Sequence, residues 1–245
     1  EVISVPAHLQ EKVVSVAHSG YPSAHFGVNA TFFKLKQAFT WDNMHATVVK
    51  VLRACPCQLS KPWKVLPGLM VPVRAQVTRP FEMVGMDIAG PLPLSRHGNR
   101  YFLVVVDVFS GWLELMPLAD VRATTVLDVF RTQWCDRYGI PDQLVTDRGG
   151  QFIGREAMDL FSQLGINKRT TSSYHPQADG VTERFVGSVK EILRRNLCTS
   201  DNDNTWDDYL SLAAFALRTM ERVDRPSAGE VLFGMRLSTP FLPTP

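Results

Sequence analysis

The 245-residue chain reads as an α/β protein: a mixed sheet with helices on its faces, preceded by a small helical unit. Three observations predict this. Residues 81–116 hold three apolar runs separated by Gly-, Pro- and Ser-containing turns, the pattern of consecutive strands. After residue 124, helix-period segments alternate with short strand-like ones. Residues 1–58 instead place their apolar side chains at helical spacing.

Taken in order, residues 9–17 predict a first helix. Asn29 is a candidate cap for a second, which holds Phe32, Phe33, Leu35 and Phe39. Asp42 is a candidate cap for a third, with Met44, Val48, Val51 and Leu52 inward. A unit of roughly sixty residues needs a metal or a partner to hold its core. Residues 59–80 contain Pro62, Pro67, Pro72 and Pro80 and read as a linker.

The main domain is expected over residues 81–222, with strands at 81–87, 101–107 and 112–116. Residues 102–106 are apolar without alternation, as in a central strand covered on both faces. Thr124 or Thr125 caps a helix that turns Val126, Val129, Phe130 and Trp134 inward and stops at Gly139. Residues 143–146 form a short strand that delivers Asp147. A helix over 155–164 ends at Gly165, and residues 167–171 form the last strand. A polar loop at 172–179 leads into helices over 180–197 and 205–221, and residues 223–245 form a weakly patterned C-terminal extension.

The bulk properties exclude little. A net charge of +2 does not by itself announce a nucleic-acid binder, so local clusters must carry that argument. No run of about 18 apolar residues is long enough to span a membrane. Four cysteines in a chain this long do not make a disulfide framework, and a reducing compartment fits. Cys135 and Cys198 are expected to pack rather than bind. The chain opens on Glu1 rather than Met, as expected of a piece of a longer product.

The chemistry concentrates in three acids. Asp87 and Asp147 each sit at a predicted strand end, and Glu183 lies in the first turns of a predicted helix, with 35 residues between Asp147 and Glu183. Carboxylates converging from separate segments suit two divalent ions, which serve phosphodiester chemistry. Oxygen ligands select Mg²⁺ or Mn²⁺. On a helix, positions seven and eleven residues on return to nearly the same face, so Glu183, Lys190 and Arg194 share a stripe. Its acidic end suits metal and its basic end a phosphate backbone. Phe185, Val189 and Ile192 share an inward stripe. Asp107 follows the most apolar strand. It is either a fourth ligand or, as we expect, a structural residue where the turn at Ser110, Gly111 and Trp112 begins.

A second constellation is His18, His25, Cys55 and Cys57, two imidazoles and two thiolates that make a tetrahedral Zn²⁺ set. A structural zinc also supplies the stability the helical unit lacks. His8 and His45 lie in unsuitable contexts, and His97 is expected on the surface.

The segments GMDIAGPLP, VVVDVFSGW, VTDRGGQF, YHPQADGVTERF and WDDYLSLAAFA resemble the integrases of gypsy-type LTR retrotransposons, in their order and spacing, over residues 3–240. The resemblance extends to host proteins derived from such integrases. It implies a ribonuclease H-like core with a mixed five-stranded sheet, and Asp87, Asp147 and Glu183 as a catalytic triad binding two Mg²⁺ or Mn²⁺ ions. The implied reactions are 3′-end processing of element DNA and strand transfer into target DNA, carried out by a homo-multimer in the nucleus and released from a cytoplasmic precursor or polyprotein. Double-stranded DNA, both element ends and target, is the implied partner. Tyr174, His175 and Gln177 before the third acid, and Arg184, Lys190 and Arg194 after it, are the implied DNA contacts.

SVAHSGYPSAHFGVNAT matches the family's N-terminal zinc site at both histidines. Two departures stand out. Only Pro56 separates Cys55 from Cys57 where the family has two residues, and Ala30 stands where lysine is usual. The cysteine spacing, with the departures after Leu217 (RTMERVDRPSAGEV), leaves a second expectation beside the active integrase: a domesticated DNA- or chromatin-binding protein without catalysis. A plain ribonuclease H-like nuclease is disfavoured by the histidine–cysteine unit, which cutting alone does not require.

Overall fold

The computed structural model describes residues 2–21, 23–59, 77–147, 149–170, 176–197, 203–220 and 226–239. The chain divides into two compact units. One takes residues 1–62, 191–202 and 211–245; the other takes 63–190 and 203–210. The division is not linear along the chain. Within the first unit, the Tyr21 ring stacks on Phe215 at 6.0 Å between centroids, and Arg236 donates to Gln37.

The first unit opens with helices α1 (Ala7–Ser19), α2 (Val28–Lys36) and α3 (Met44–Arg53). Their inward faces bury Val14, Ala17, Leu35, Met44, Val48 and Leu52, with Phe32, Phe39 and Val51 packed at the margin. Strands β1 (Ile3–Ser4) and β2 (Phe39–Thr40) pair in parallel at its edge. The caps differ from expectation. Asn29 lies inside α2, which starts after Gly27, and Asn43 rather than Asp42 precedes α3, with no side-chain cap in either case. Tertiary packing of the apolar face holds these short helices, so the caps are dispensable.

The second unit is built on a five-stranded sheet in the order β5-β4-β3-β6-β7. Its strands are β3 (Met83–Ala89), β4 (Tyr101–Asp107), β5 (Leu113–Leu118), β6 (Gln143–Thr146) and β7 (Asn167–Thr170). β3 pairs antiparallel with β4, and β4 with β5; β3 to β6 and β6 to β7 are parallel. β4 is buried from Phe102 to Asp107, as its unbroken apolar run requires. Val77 is buried against Met83, Val108 and Val145, so packing of this unit starts there; most of the expected linker lies outside the described residues.

Helix α4 (Ala123–Phe130) has Arg122 at its cap position and no capping side chain, in place of Thr124 or Thr125. It passes through a π turn (Arg131–Cys135) into α5 (Asp136–Tyr138) and stops at Gly139, whose φ of 88° suits glycine. Phe81, Trp134 and Tyr138 form an aromatic cluster beside this stop. After β6 come α6 (Gly150–Ile153), which the sequence pattern did not indicate, and α7 (Arg155–Gln163). Helix α8 (Pro176–Leu197) begins four residues before the expected 180–197, with Pro176 at the first helical position, where proline's missing N–H costs nothing. A 3₁₀ turn (Asp203–Asp208) precedes α9 (Tyr209–Thr219).

The C-terminal extension contains α10 (Ala228–Phe233), where only weak patterning was expected. Its signal was present. Ser227 and Glu230 stand at capping-box spacing, and the Ser227 hydroxyl accepts from the Glu230 N–H.

Asp107 is fully buried, and its carboxylate accepts from the N–H groups of Phe81 (2.9 Å) and Ser110 (2.9 Å) and from the Ser110 hydroxyl (2.5 Å). It ties the start of β3 to the turn between β4 and β5, the structural role expected of it. Asp107→Ala leaves buried donors unpaired and is expected to cost about 2–4 kcal/mol in urea unfolding.

Candidate functional site

β3 brings Asp87 to the site from within the strand rather than from its end, since β3 continues to Ala89. Met86 is in register with Thr146 of the parallel strand β6. One step further along this pair, Asp87 falls beside Asp147, which directly follows β6. Neighbouring strands lie about 4.8 Å apart, so the two acids occupy adjacent positions on one sheet edge.

Alternation fixes the face. A Cβ placed on Gly85 would lie 2.2 Å from Oγ1 of Thr182 on α8. Side chains two apart on a strand share a face, so Asp87 and the α8 contact are on the same side of the sheet. Thr182 is 2% exposed, and Glu183 follows it, exposed to solvent. The absence of a side chain at Gly85 therefore lets α8 press against β3 beside the aspartates. Gly85→Ala is expected to cost about 1–3 kcal/mol by overpacking and to lower activity. Thr182→Ala in the same chain should recover most of the loss, as read by urea unfolding of the three variants.

The buried stripe of α8 is Val181, Thr182, Val186, Val189, Ile192 and Leu193. Of the stripe expected inward, Val189 and Ile192 are buried, while Phe185 is only half-buried. Glu183 and Lys190 are both exposed. Arg194 and Arg184 are half-buried, and Arg194 binds Glu191 at 2.5 Å on its own helix. Tyr174 and His175 lie outside the described residues, as does the side chain of Gln177.

The acids do not form a closed cluster. Ligand atoms from Asp87, Asp147 and Glu183 do not come within 4.8 Å of one another as a set. Asp147 accepts from the N–H of Gly149 at 2.9 Å, and Asp87 from that of Ile88 at 2.8 Å. Lys168 of β7 was not singled out from the sequence. Its ammonium donates to the Phe152 carbonyl of α6. Burial lowers its pKa and the nearby Asp147 charge raises it, with burial prevailing. Nothing in the local sequence marks Lys168; only β6–β7 pairing places it beside the loop after Asp147.

The second site is closed. Nε2 of His18 lies 3.3 Å from Nδ1 of His25 and 3.3 Å from Sγ of Cys57, and Nδ1 of His25 lies 3.5 Å from Sγ of Cys55. A tetrahedral ion with N ligands near 2.05 Å and S ligands near 2.3 Å requires edges of about 3.3 Å between nitrogens and about 3.6 Å between nitrogen and sulfur. The donor set fits. Nδ1 of His18 donates to the Phe26 carbonyl at 3.0 Å, which leaves the Nε2 lone pair for metal.

Burial, then the His25 and Arg195 charges, push the His18 pKa down to about 4. Burial and Arg195 also lower that of His25. Both rings are thus held neutral, as ligation requires. The short spacing of Cys55 and Cys57 is accommodated locally. Cys55 follows the end of α3, and a 3₁₀ turn (Pro56–Leu59) carries Cys57 round to the same point.

Among the described residues a further group, His97, Asp207 and Asp208, has ligand atoms in reach of one another. His97 is exposed and bonds Asp208 at 3.1 Å, and Arg96 pairs with Asp208 at 2.8 Å, so this group is an ion-pair network.

Two family descriptions match the chain: "Integrase zinc binding domain" over residues 5–63 and "Integrase core domain" over residues 77–176. Gypsy retrotransposon integrase-like protein 1 of Homo sapiens is 25% identical over 247 residues, covering 99% of this chain and 45% of that protein. The retrovirus-related Pol polyprotein from transposon 412 of Drosophila melanogaster is 27% identical over 233 residues, covering 94% of this chain and 19% of its own length. The Pro-Pol polyprotein of Simian foamy virus type 1 is 31% identical, covering 95% of this chain and 20% of its own length. The chain therefore spans less than half the length of these relatives. The fold is similar to the catalytic core domain of BIV integrase, with a TM-score of 0.50 and 24% identity over 63% of this chain and 95% of that one. It is also similar to the HTLV-2 integrase catalytic core domain in complex with magnesium, with a TM-score of 0.51 and 19% identity over 62% and 96%.

Proposed function

We infer that this chain, an integrase-family protein with its zinc-binding and core domains in order, is a DNA-integrating polynucleotidyl transferase. It processes the 3′ ends of element DNA and joins them to target DNA. The observation that carries this reading is the shared face of Asp87, Asp147 and α8, with Glu183 next to the residue that seats the helix on β3.

Asp87, Asp147 and Glu183 hold the divalent ions, Mg²⁺ or Mn²⁺. When bound, such ions activate an attacking oxygen and stabilise a leaving one. The remaining work belongs to the chain. Exposed Lys190, two turns beyond Glu183, offers a cation to a phosphate backbone running along α8, with Arg184 and Arg194 beside it. Tyr174 and His175, just before α8, and Gln177, in its first turn, grip DNA. His18, His25, Cys55 and Cys57 hold a structural Zn²⁺, supported by the tetrahedral edges of their donor atoms. The chain acts in the nucleus as a homo-multimer, since joining two DNA ends in concert needs more than one active site.

The alternative, a DNA- or chromatin-binding protein without catalysis, draws its support from Cys55-Pro56-Cys57 and from the departures after Leu217. The closed donor set supports metal binding despite the short cysteine spacing and leaves the departures after Leu217 in place. The test is purified chain with Mg²⁺ or Mn²⁺ and labelled duplexes carrying candidate element ends, resolved on denaturing gels. Metal-dependent nicking and joining are expected. DNA binding without nicking under either ion would establish the non-catalytic reading instead.

A further inference from the structure

The His25 turn is an unusual place for a metal ligand. Ala24 and His25 have φ values of 49° and 53°, in the left-handed region that side chains with a Cβ seldom occupy. Such a turn persists only when its surroundings over-determine it. Several local contacts contribute. The His25 N–H donates to the His18 carbonyl at 3.1 Å, that of Phe26 donates to Ser23 at 3.2 Å, and the Lys34 ammonium donates to the Ser23 hydroxyl at 2.7 Å.

One contact comes from far away in sequence. Nη1 of Arg195, on α8, donates to the His25 carbonyl at 2.7 Å across 170 residues. Arg195 is itself held: its Nε donates to Oε1 of Glu191 at 2.7 Å, one helical turn earlier. Glu191 and Arg195 are both mostly covered, with side chains 16% and 22% exposed. A covered, charge-assisted pair of this kind keeps a fixed geometry, and the planar guanidinium serves both acceptors at once.

The ligand atom of His25 is Nδ1, which faces Nε2 of His18 and Sγ of Cys55. Nδ1 is the ring nitrogen nearer the backbone. Its position therefore follows the backbone of His25 closely, with little slack for the side chain to correct a displaced turn. A contact that pins the His25 carbonyl also pins this ligand.

We propose that Arg195, held by Glu191, is a positioning residue for the metal centre, locking the His25 turn so that Nδ1 completes the tetrahedral donor set. This rests on the reading of His18, His25, Cys55 and Cys57 as a zinc site. Outer contacts of this kind are worth 10- to 100-fold in metal affinity where they have been removed.

The test uses the full chain stripped of metal and titrated with Co²⁺, whose visible absorption reports tetrahedral N/S ligation. Arg195→Ala is expected to weaken Co²⁺ binding about 10- to 100-fold and to change the visible band envelope. Arg195→Lys should recover part of both, because an ammonium can still donate to the carbonyl but lacks the planar fork that holds both acceptors in one geometry. Glu191→Gln, which leaves the guanidinium in place, covers the case in which Arg195→Ala does not fold; it should weaken binding at the low end of that range, about 10-fold. Affinity and spectrum unchanged in Arg195→Ala, or unchanged in Glu191→Gln where the former is unfolded, overturn the proposal and leave the zinc site standing. A wild-type chain without a cobalt–thiolate band overturns the zinc reading and the proposal together.

Discussion

Glu183→Gln is expected to abolish metal-dependent nicking and joining of labelled DNA while leaving the fold intact. Glu183 is exposed on α8, between a buried Thr182 and half-buried Arg184, so its side chain contributes contact to no core. Glutamine matches its shape and helix propensity closely. What the change removes is one charge and one anionic ligand at the place where two ions would be held. A metal contributes several kcal/mol of charge stabilisation at such a centre, so the expected loss is roughly a thousandfold or more in rate. The measurement pairs gel-resolved DNA products with a thermal melt. An unchanged melt with no products is the expected result. Products at the wild-type rate would remove Glu183 from the site.

Cys57→Ser should release the Zn²⁺ proposed for this donor set and unfold α1, α2 and α3. Cys57 is buried at 1% exposure and reaches its place through a 3₁₀ turn, so a weaker ligand there has no room to be replaced by another side chain. Zinc in small domains contributes an apparent 10–16 kcal/mol or so, beyond what a helical unit of this size can supply by packing. Metal content and amide exchange over α1–α3 report the outcome. Retained zinc with protected amides would refute it.

The same site fixes a pH dependence. Burial pushes the His18 pKa down to about 4, and His25 is shifted in the same direction. The native state therefore keeps both rings neutral where the unfolded chain has protonated them. Their contribution to stability is complete above pH 6.5 and is lost as the pH falls toward 4. Metal release by protons acts in the same sense. The melting temperature of the first unit should fall across that window and stay flat from pH 7 to 8.

Much of the site was legible because its chemistry is local. Asp147 follows a short β-branched strand and Glu183 sits on an amphipathic helix, both readable from period and composition. Strand β4 announced its burial through five apolar residues in a row, from Phe102 to Val106. The misreadings cluster where distant packing decides. Asp87 is expected at a strand end, yet pairing with β4 carries β3 on to Ala89. Capping residues were expected at Asn29, Asp42 and Thr124 or Thr125, where the helices need none. Helix α10 carries its own cap, Ser227 with Glu230, set in a Pro-containing background that masks its pattern.

The sequence by itself determined the donor inventory: three acids on separate segments, and two imidazoles with two thiolates. Those are choices of residue type, and type is what a sequence states outright. Only the tertiary structure decided the geometry. It seats α8 on β3 because Gly85 has no side chain to oppose Thr182. It closes the four metal donors to edges of 3.3–3.5 Å although Cys55 and Cys57 stand one residue closer than the family spacing. It also brings Arg195 to His25, 170 residues away, which no local pattern can encode. Spacing along a chain constrains which atoms can meet locally; which distant atoms do meet is settled by the packing of faces that bury together.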